Sequence, residues 1–68
     1  MEPIETMTVE EVTENLRARG VKTSPDKIRN GLIHGIYPFG DAVPMNKTYS
    51  FTIYKRLYDM WVAERERV

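Results

Sequence analysis

The chain has no cysteine and only one histidine. The first absence excludes both a disulfide framework and a thiolate zinc site. His34 in turn has no second histidine and no nearby carboxylate to complete a metal site, so no metal and no other cofactor is expected. A phosphate-loop glycine pattern is missing, and no nucleophile is paired with His34. Acidic pairs such as Glu10 and Glu14 fall on a solvated helix face near a cap. No residue is therefore assigned a catalytic role. Apolar runs stop far short of the roughly 20 residues of a membrane helix. The acidic opening MEPIETM lacks the basic and hydrophobic regions of a secretory signal. The expectation is a cytoplasmic protein with no membrane partner.

Without staples, 68 residues sit near the lower limit for folding on apolar packing alone. Stability must come from a compact core, with a subunit partner or ligand adding to it by mass action. Aromatic residues are missing from the first 36 positions, and all seven (Tyr37, Phe39, Tyr49, Phe51, Tyr54, Tyr58, Trp61) follow them, so the second half is expected to supply most of the core. The net charge of zero conceals a division: −5 over residues 1–14, +6 over 15–58 and −1 over 59–68. Affinity for nucleic acid depends on local field rather than total charge, so a neutral chain can still present a basic face.

Residues 1–6 read as a flexible tail and 7–68 as a single domain. Thr8 followed by Glu11 forms a capping box, with Met7 and Val12 placed for a hydrophobic staple. Val9, Val12 and Leu16 then mark the apolar stripe of a first helix that Gly20 ends. Only Val21, Lys22 and Thr23 precede the next cap. A connection this short turns the second helix sharply on the first, with Val21 as an apolar plug in the joint.

Ser24 caps the second helix and Pro25 occupies its first position. Ile28 and Leu32 form its inward stripe, while Lys27, Arg29, Asn30 and His34 lie outward. Gly31 in mid-helix costs about 1 kcal/mol relative to alanine, which predicts close approach of another backbone, from the first or third helix. Gly35 ends the helix. His34 is either its C-terminal cap or a phosphate contact. Pro38 makes Ile36–Phe39 a bend in which Tyr37 and Phe39 anchor to the core.

Ala42 and Val43 read as a short strand, Pro44 to Lys47 as a polar tip, and Thr48–Tyr54 as the clearest strand, with Tyr49, Phe51 and Ile53 on one face. The period then becomes helical through Tyr54, Leu57, Tyr58 and Trp61. Trp61 is either a core residue behind the hairpin or a subunit contact. Good helix formers continue from Ala63 through Arg67. The fold class is α+β, mostly helical: a small winged helix-turn-helix of helix, turn, helix, hairpin, helix.

The stretch SPDKIRNGLIHGIYPFG followed by TYSFTIYKRLYDMW resembles the winged DNA-binding domains of the MerR-like and phage excisionase class, found in small phage and mobile-element proteins. Ser24, Ile28–Arg29, Ile33, Gly35 and Tyr37–Pro38 match that pattern, as do Tyr49, Ile53, Leu57 and Trp61. The resemblance implies a second helix that enters the major groove and a wing that contacts the adjacent backbone or minor groove. It implies double-stranded DNA as partner, and a non-enzymatic protein that binds and bends DNA beside recombination sites to assist an integrase or recombinase. MerR regulators add a dimerisation helix and an effector domain, neither of which fits within these 68 residues, so a ligand-sensing regulator is not the expectation.

On this reading Lys27 and Asn30, one helical turn apart on the exposed side, are assigned to base edges. Lys22, Ser24, Arg29, His34 and Lys47 are assigned to phosphates, with Asn46 and Thr48 beside Lys47 on the wing. So small a domain offers few phosphate contacts, and useful affinity is expected to need several copies or a second DNA-bound protein. Two alternatives remain open: a small phage transcriptional repressor, and a protein-interaction adaptor that retains the fold and exposes Tyr37, Phe39, Tyr58 or Trp61.

Overall fold

In the computed structural model, which describes residues 2–66, the elements run β1 (Thr6–Met7), α1 (Val9–Ala18), α2 (Pro25–Ile33), β2 (Gly40–Pro44), β3 (Tyr49–Tyr54) and α3 (Lys55–Glu66). Arg67, the end of the run of helix formers, lies outside the described residues.

Both helices of the first half begin and end with the same local devices. At the start of α1, Glu11 N–H donates to Thr8 Oγ1 at 3.0 Å and Thr8 N–H donates to Glu11 Oε1 at 3.1 Å, completing the capping box. At the start of α2, Lys27 N–H donates to Ser24 Oγ at 3.2 Å, with Pro25 next in the chain. Each helix closes through a glycine of positive φ, 87° at Gly20 and 68° at Gly35. In α1, Gly20 N–H donates to Arg17 O and Val21 N–H to Leu16 O. In α2, Gly35 N–H donates to Leu32 O and Ile36 N–H to Gly31 O. These paired bonds are the Schellman closure, and they satisfy carbonyls that the helix itself leaves unpaired.

The turn between the helices is braced by Arg17 Nε, which donates to Thr23 O at 3.0 Å. Val21 is not the plug expected there. It remains 43 % exposed, because the closure of α1 positions it at the rim of the joint.

The sheet is antiparallel in the order β1-β3-β2. Strand β1 was not foreseen, since two residues carry no periodic signal. Thr6, read as the last tail residue, pairs with Tyr54, and Met7 pairs with Ile53. Lys55 N–H extends the ladder to Glu5 O. Strands β2 and β3 form the hairpin, with Ala42 opposite Phe51 and Asp41 opposite Thr52. Its tip closes through Met45 N–H donating to Thr48 O at 2.7 Å. The inward face of β3 is the one expected: Ile53 is buried, Phe51 packs on the core, and Tyr49 stacks on Phe51 farther out. On the other face Tyr54 Oη donates to Asp41 Oδ2.

The core combines Val9, Val12 and Leu16 of α1, Ile28 and Leu32 of α2, Phe39, Ile53, and Tyr58 and Val62 of α3. It therefore draws on both halves, contrary to the expectation that the second would dominate. Each such side chain contributes roughly 1.5–3 kcal/mol by leaving water. The late aromatics have a narrower role: Phe39 is the hub of a cluster, with Tyr37, Trp61 and Tyr58 at ring-centroid distances of 5.1, 5.2 and 5.4 Å. Trp61 is thus packed against the core.

Two further expectations change. Tyr54 closes β3, and α3 starts at Lys55, with Tyr58 and Val62 setting its inward stripe at a spacing of four. That phase turns Leu57 outward, 44 % exposed. At Gly31 the close neighbour is the ring of Tyr37 rather than another backbone. With helix pair, hairpin wing and closing helix in place, the architecture is a winged helix-turn-helix of generic type.

Candidate functional site

Burial of Ile28 and Leu32 fixes the rotation of α2, and residues three and seven positions apart then share its outer face. Lys27, Asn30 and His34 occupy that face and line one shallow depression together with Gly31, Ile36 and Tyr37. The depression brings together three of the sequence-assigned residues. His34 follows the last helical residue as the C-cap, and its Nδ1 lies 2.8 Å from Asn30 O. A carbonyl oxygen can only accept, so Nδ1 carries the hydrogen and Nε2 is left for an outside partner. Lys27 adds an ammonium with three donors, and Asn30 adds an amide that can donate and accept together.

Ion pairing divides the basic residues. Arg19 pairs with Glu66, Lys55 with Asp59, and Arg65 with Glu64 and the ring of Trp61. Among the described residues, the side chains of Lys22, Lys27 and Lys47 make no ion pair and donate no hydrogen bond. They come from the inter-helix turn, the first turn of α2 and the hairpin tip, and all three are exposed. Arg56 is also unpaired among the described residues, but it lines a separate depression with Glu2, Glu5 and Asp59.

Arg29 stands apart from the other assigned cations. Its guanidinium is 2.8 Å from Glu10 Oε2 and 3.2 Å from Asp26 Oδ1, which ties α2 to α1 and matches its charge internally. Ser24 Oγ is likewise engaged in its cap. Lys22 and the wing residues Asn46, Lys47 and Thr48 lie outside the depression, on the flanking turn and hairpin tip. The wing also exposes Val43, Met45 and Tyr49, so its outer part is more apolar than charged.

Ile36 and Tyr37 were not assigned to this face by sequence reasoning, although a signal existed. A glycine six residues before Tyr37 leaves room for its ring, and that ring forms one wall of the depression. Among the described residues no cluster of three or more metal-ligating side chains occurs, and no helix is long and apolar enough to cross a membrane. Comparison with protein families, curated proteins and solved structures finds no match to the chain.

Proposed function

We propose that this domain binds double-stranded DNA with sequence preference and carries no enzymatic activity of its own. The observation that carries the reading is the separation of charge. Arg19, Arg29, Lys55 and Arg65 are paired with carboxylates, Arg17 is engaged by Thr23 O and Arg56 stands beside Glu2, Glu5 and Asp59. Lys22, Lys27 and Lys47 have no such partner among the described residues, and they lie on the turn, helix and wing of a winged helix-turn-helix. A helix presenting Lys27 and Asn30 suits a major groove, where lysine donates to guanine O6 or N7 and asparagine pairs with adenine N6 and N7. Lys22 and Lys47 flank it as phosphate contacts, which position a protein without reading sequence. The biological setting within this reading is an excisionase-like architectural factor that works beside a recombinase or in several copies along DNA, with a small repressor as the alternative setting.

The test is a binding titration on a randomised duplex library over a salt series. Affinity should fall steeply with salt. Lys22→Ala and Lys47→Ala should weaken all sequences alike, and Asn30→Ala should flatten the preference among them. Unchanged preference in Asn30→Ala would remove it as a reader. Genomic fragments selected by the protein separate the two settings, lying beside recombination junctions for one and over promoters for the other.

The wing favours a second reading, a protein-interaction adaptor, although not through the patch expected for it, since Phe39 and Tyr58 are buried in the core and Tyr37 and Trp61 pack against it. Val43, Met45 and Tyr49 expose apolar surface around a single lysine, an arrangement as suited to a protein surface as to phosphate. Absence of duplex binding even at low salt would select this reading.

A further inference from the structure

The geometry points to Ile36 as a specificity residue that contacts the C5-methyl group of a thymine, an inference that rests on the DNA-binding reading of α2. In the usual Schellman closure the apolar residue after the glycine packs on the side chain at the third position from the helix end, and so is partly covered. Helix α1 has the residues for that scheme, with Val21 after Gly20 and the large apolar Leu16 at the third position, and Val21 is 43 % exposed. Helix α2 departs from it, because the third position is Gly31 and offers nothing to pack on. The ring of Tyr37 takes the space over Gly31 instead. Ile36 is left 70 % exposed, among the most exposed large apolar side chains of the described residues and outside the core cluster.

Exposure here does not mean looseness. Ile36 N–H donates to Gly31 O at 2.8 Å, and Tyr37 beside it stacks on Phe39 and packs edge-on to Trp61. The side chain therefore projects from a braced backbone at the rim of the depression shared with Lys27, Asn30 and His34. Among the groups that a major groove presents, the thymine methyl is the apolar one, and the others are hydrogen-bond donors and acceptors. An isoleucine held beside a lysine and an asparagine that address polar base edges thus has one complementary partner there. The chemical class of target that follows is a site with a fixed thymine next to the bases read by Lys27 and Asn30.

Sites recovered by the wild-type domain from a randomised duplex library should contain that thymine. Replacing each thymine by uracil in turn removes only the methyl group. At one position the wild type should lose about fourfold in affinity, the value of one methyl group taken from water. Ile36→Ala should bind the thymine and uracil duplexes equally, and Ile36→Val should keep part of the difference. Circular dichroism and thermal melting establish that both variants are folded. Recovered sites without a fixed thymine, a wild type indifferent to every uracil, or full methyl discrimination in Ile36→Ala would each overturn the assignment while leaving DNA binding intact. A wild type that takes no duplex at low salt overturns both readings.

Discussion

The ring of Tyr37 fills the space that a side chain at Gly31 would need, so that a Cβ at position 31 would overlap its Cδ2 and Cε2 atoms. The ring cannot retreat freely, since it stacks on Phe39 and meets Trp61 edge-on. Two effects compete in Gly31→Ala: a gain of about 1 kcal/mol in helix propensity and an overpacking cost of about 1–3 kcal/mol. Overpacking should prevail, giving a lower melting temperature. In a Tyr37→Ala background the clash is absent, and Gly31→Ala should become stabilising. Calorimetry on the four proteins of this cycle checks the reversal of sign. A loss of equal size in both backgrounds would show that the ring is not the obstacle.

Glu10→Gln removes the carboxylate nearest to Arg29. The pair is exposed, so the expected loss of stability is below about 1 kcal/mol. Under the DNA-binding reading the released guanidinium becomes available to phosphate. Affinity should rise, and the dependence of log K on log salt should steepen by about one phosphate contact. An unchanged slope would mean that Asp26 alone retains Arg29.

Ser24→Ala separates two roles for one hydroxyl. Loss of its bond from Lys27 N–H should cost about 1 kcal/mol of stability in urea titration. Affinity for DNA at a fixed salt concentration should stay as in the wild type if the hydroxyl serves the cap alone, and fall if it also donates to a phosphate. Thr8→Ala, which breaks the corresponding cap of α1, should cost a similar amount.

Alkaline pH should destabilise the fold. Burial raises the pKa of the Tyr58 phenol above 10.0, and the hydrogen bond to Asp41 raises that of Tyr54. The hydrogen bond from Lys55 to Asp59 similarly raises the lysine above 10.5. All three groups hold their protons more tightly when folded. Their contribution is fully present below the unfolded values near 10 and is lost as pH rises through the folded ones. Melting temperature should therefore be level near neutrality and fall above about pH 10. Tyr58→Phe, which also loses the bond to Asn15 Oδ1, should be less stable at neutral pH and show a shallower alkaline decline. A decline as steep as in the wild type would take Tyr58 out of the effect.

Much of the fold was legible because its signals are local. Thr8 with Glu11, Ser24 with Pro25, and the glycines at 20 and 35 mark where α1 and α2 start and stop through contacts within a few residues. The face of β3 follows from alternation, and the inward stripes of α1 and α2 from helical spacing. The candidate face was legible for the same reason, since Lys27, Asn30 and His34 are neighbours along one helix whose rotation Ile28 and Leu32 determine.

What the sequence by itself determined, then, is the order of elements from α1 to α3 and the outward face of α2. Only the tertiary structure decided that Met7 pairs with Ile53, that Glu10 and Asp26 occupy Arg29, that α3 turns Leu57 away from the core, and that Tyr37 covers Gly31 and leaves Ile36 exposed. Most of these outcomes depend on segments far apart in the chain. Even Tyr37, six residues from Gly31, needs Phe39 and Trp61 to hold its ring. Propensity, capping and periodicity act over one or two turns, whereas which carboxylate meets which guanidinium is decided when the elements pack together.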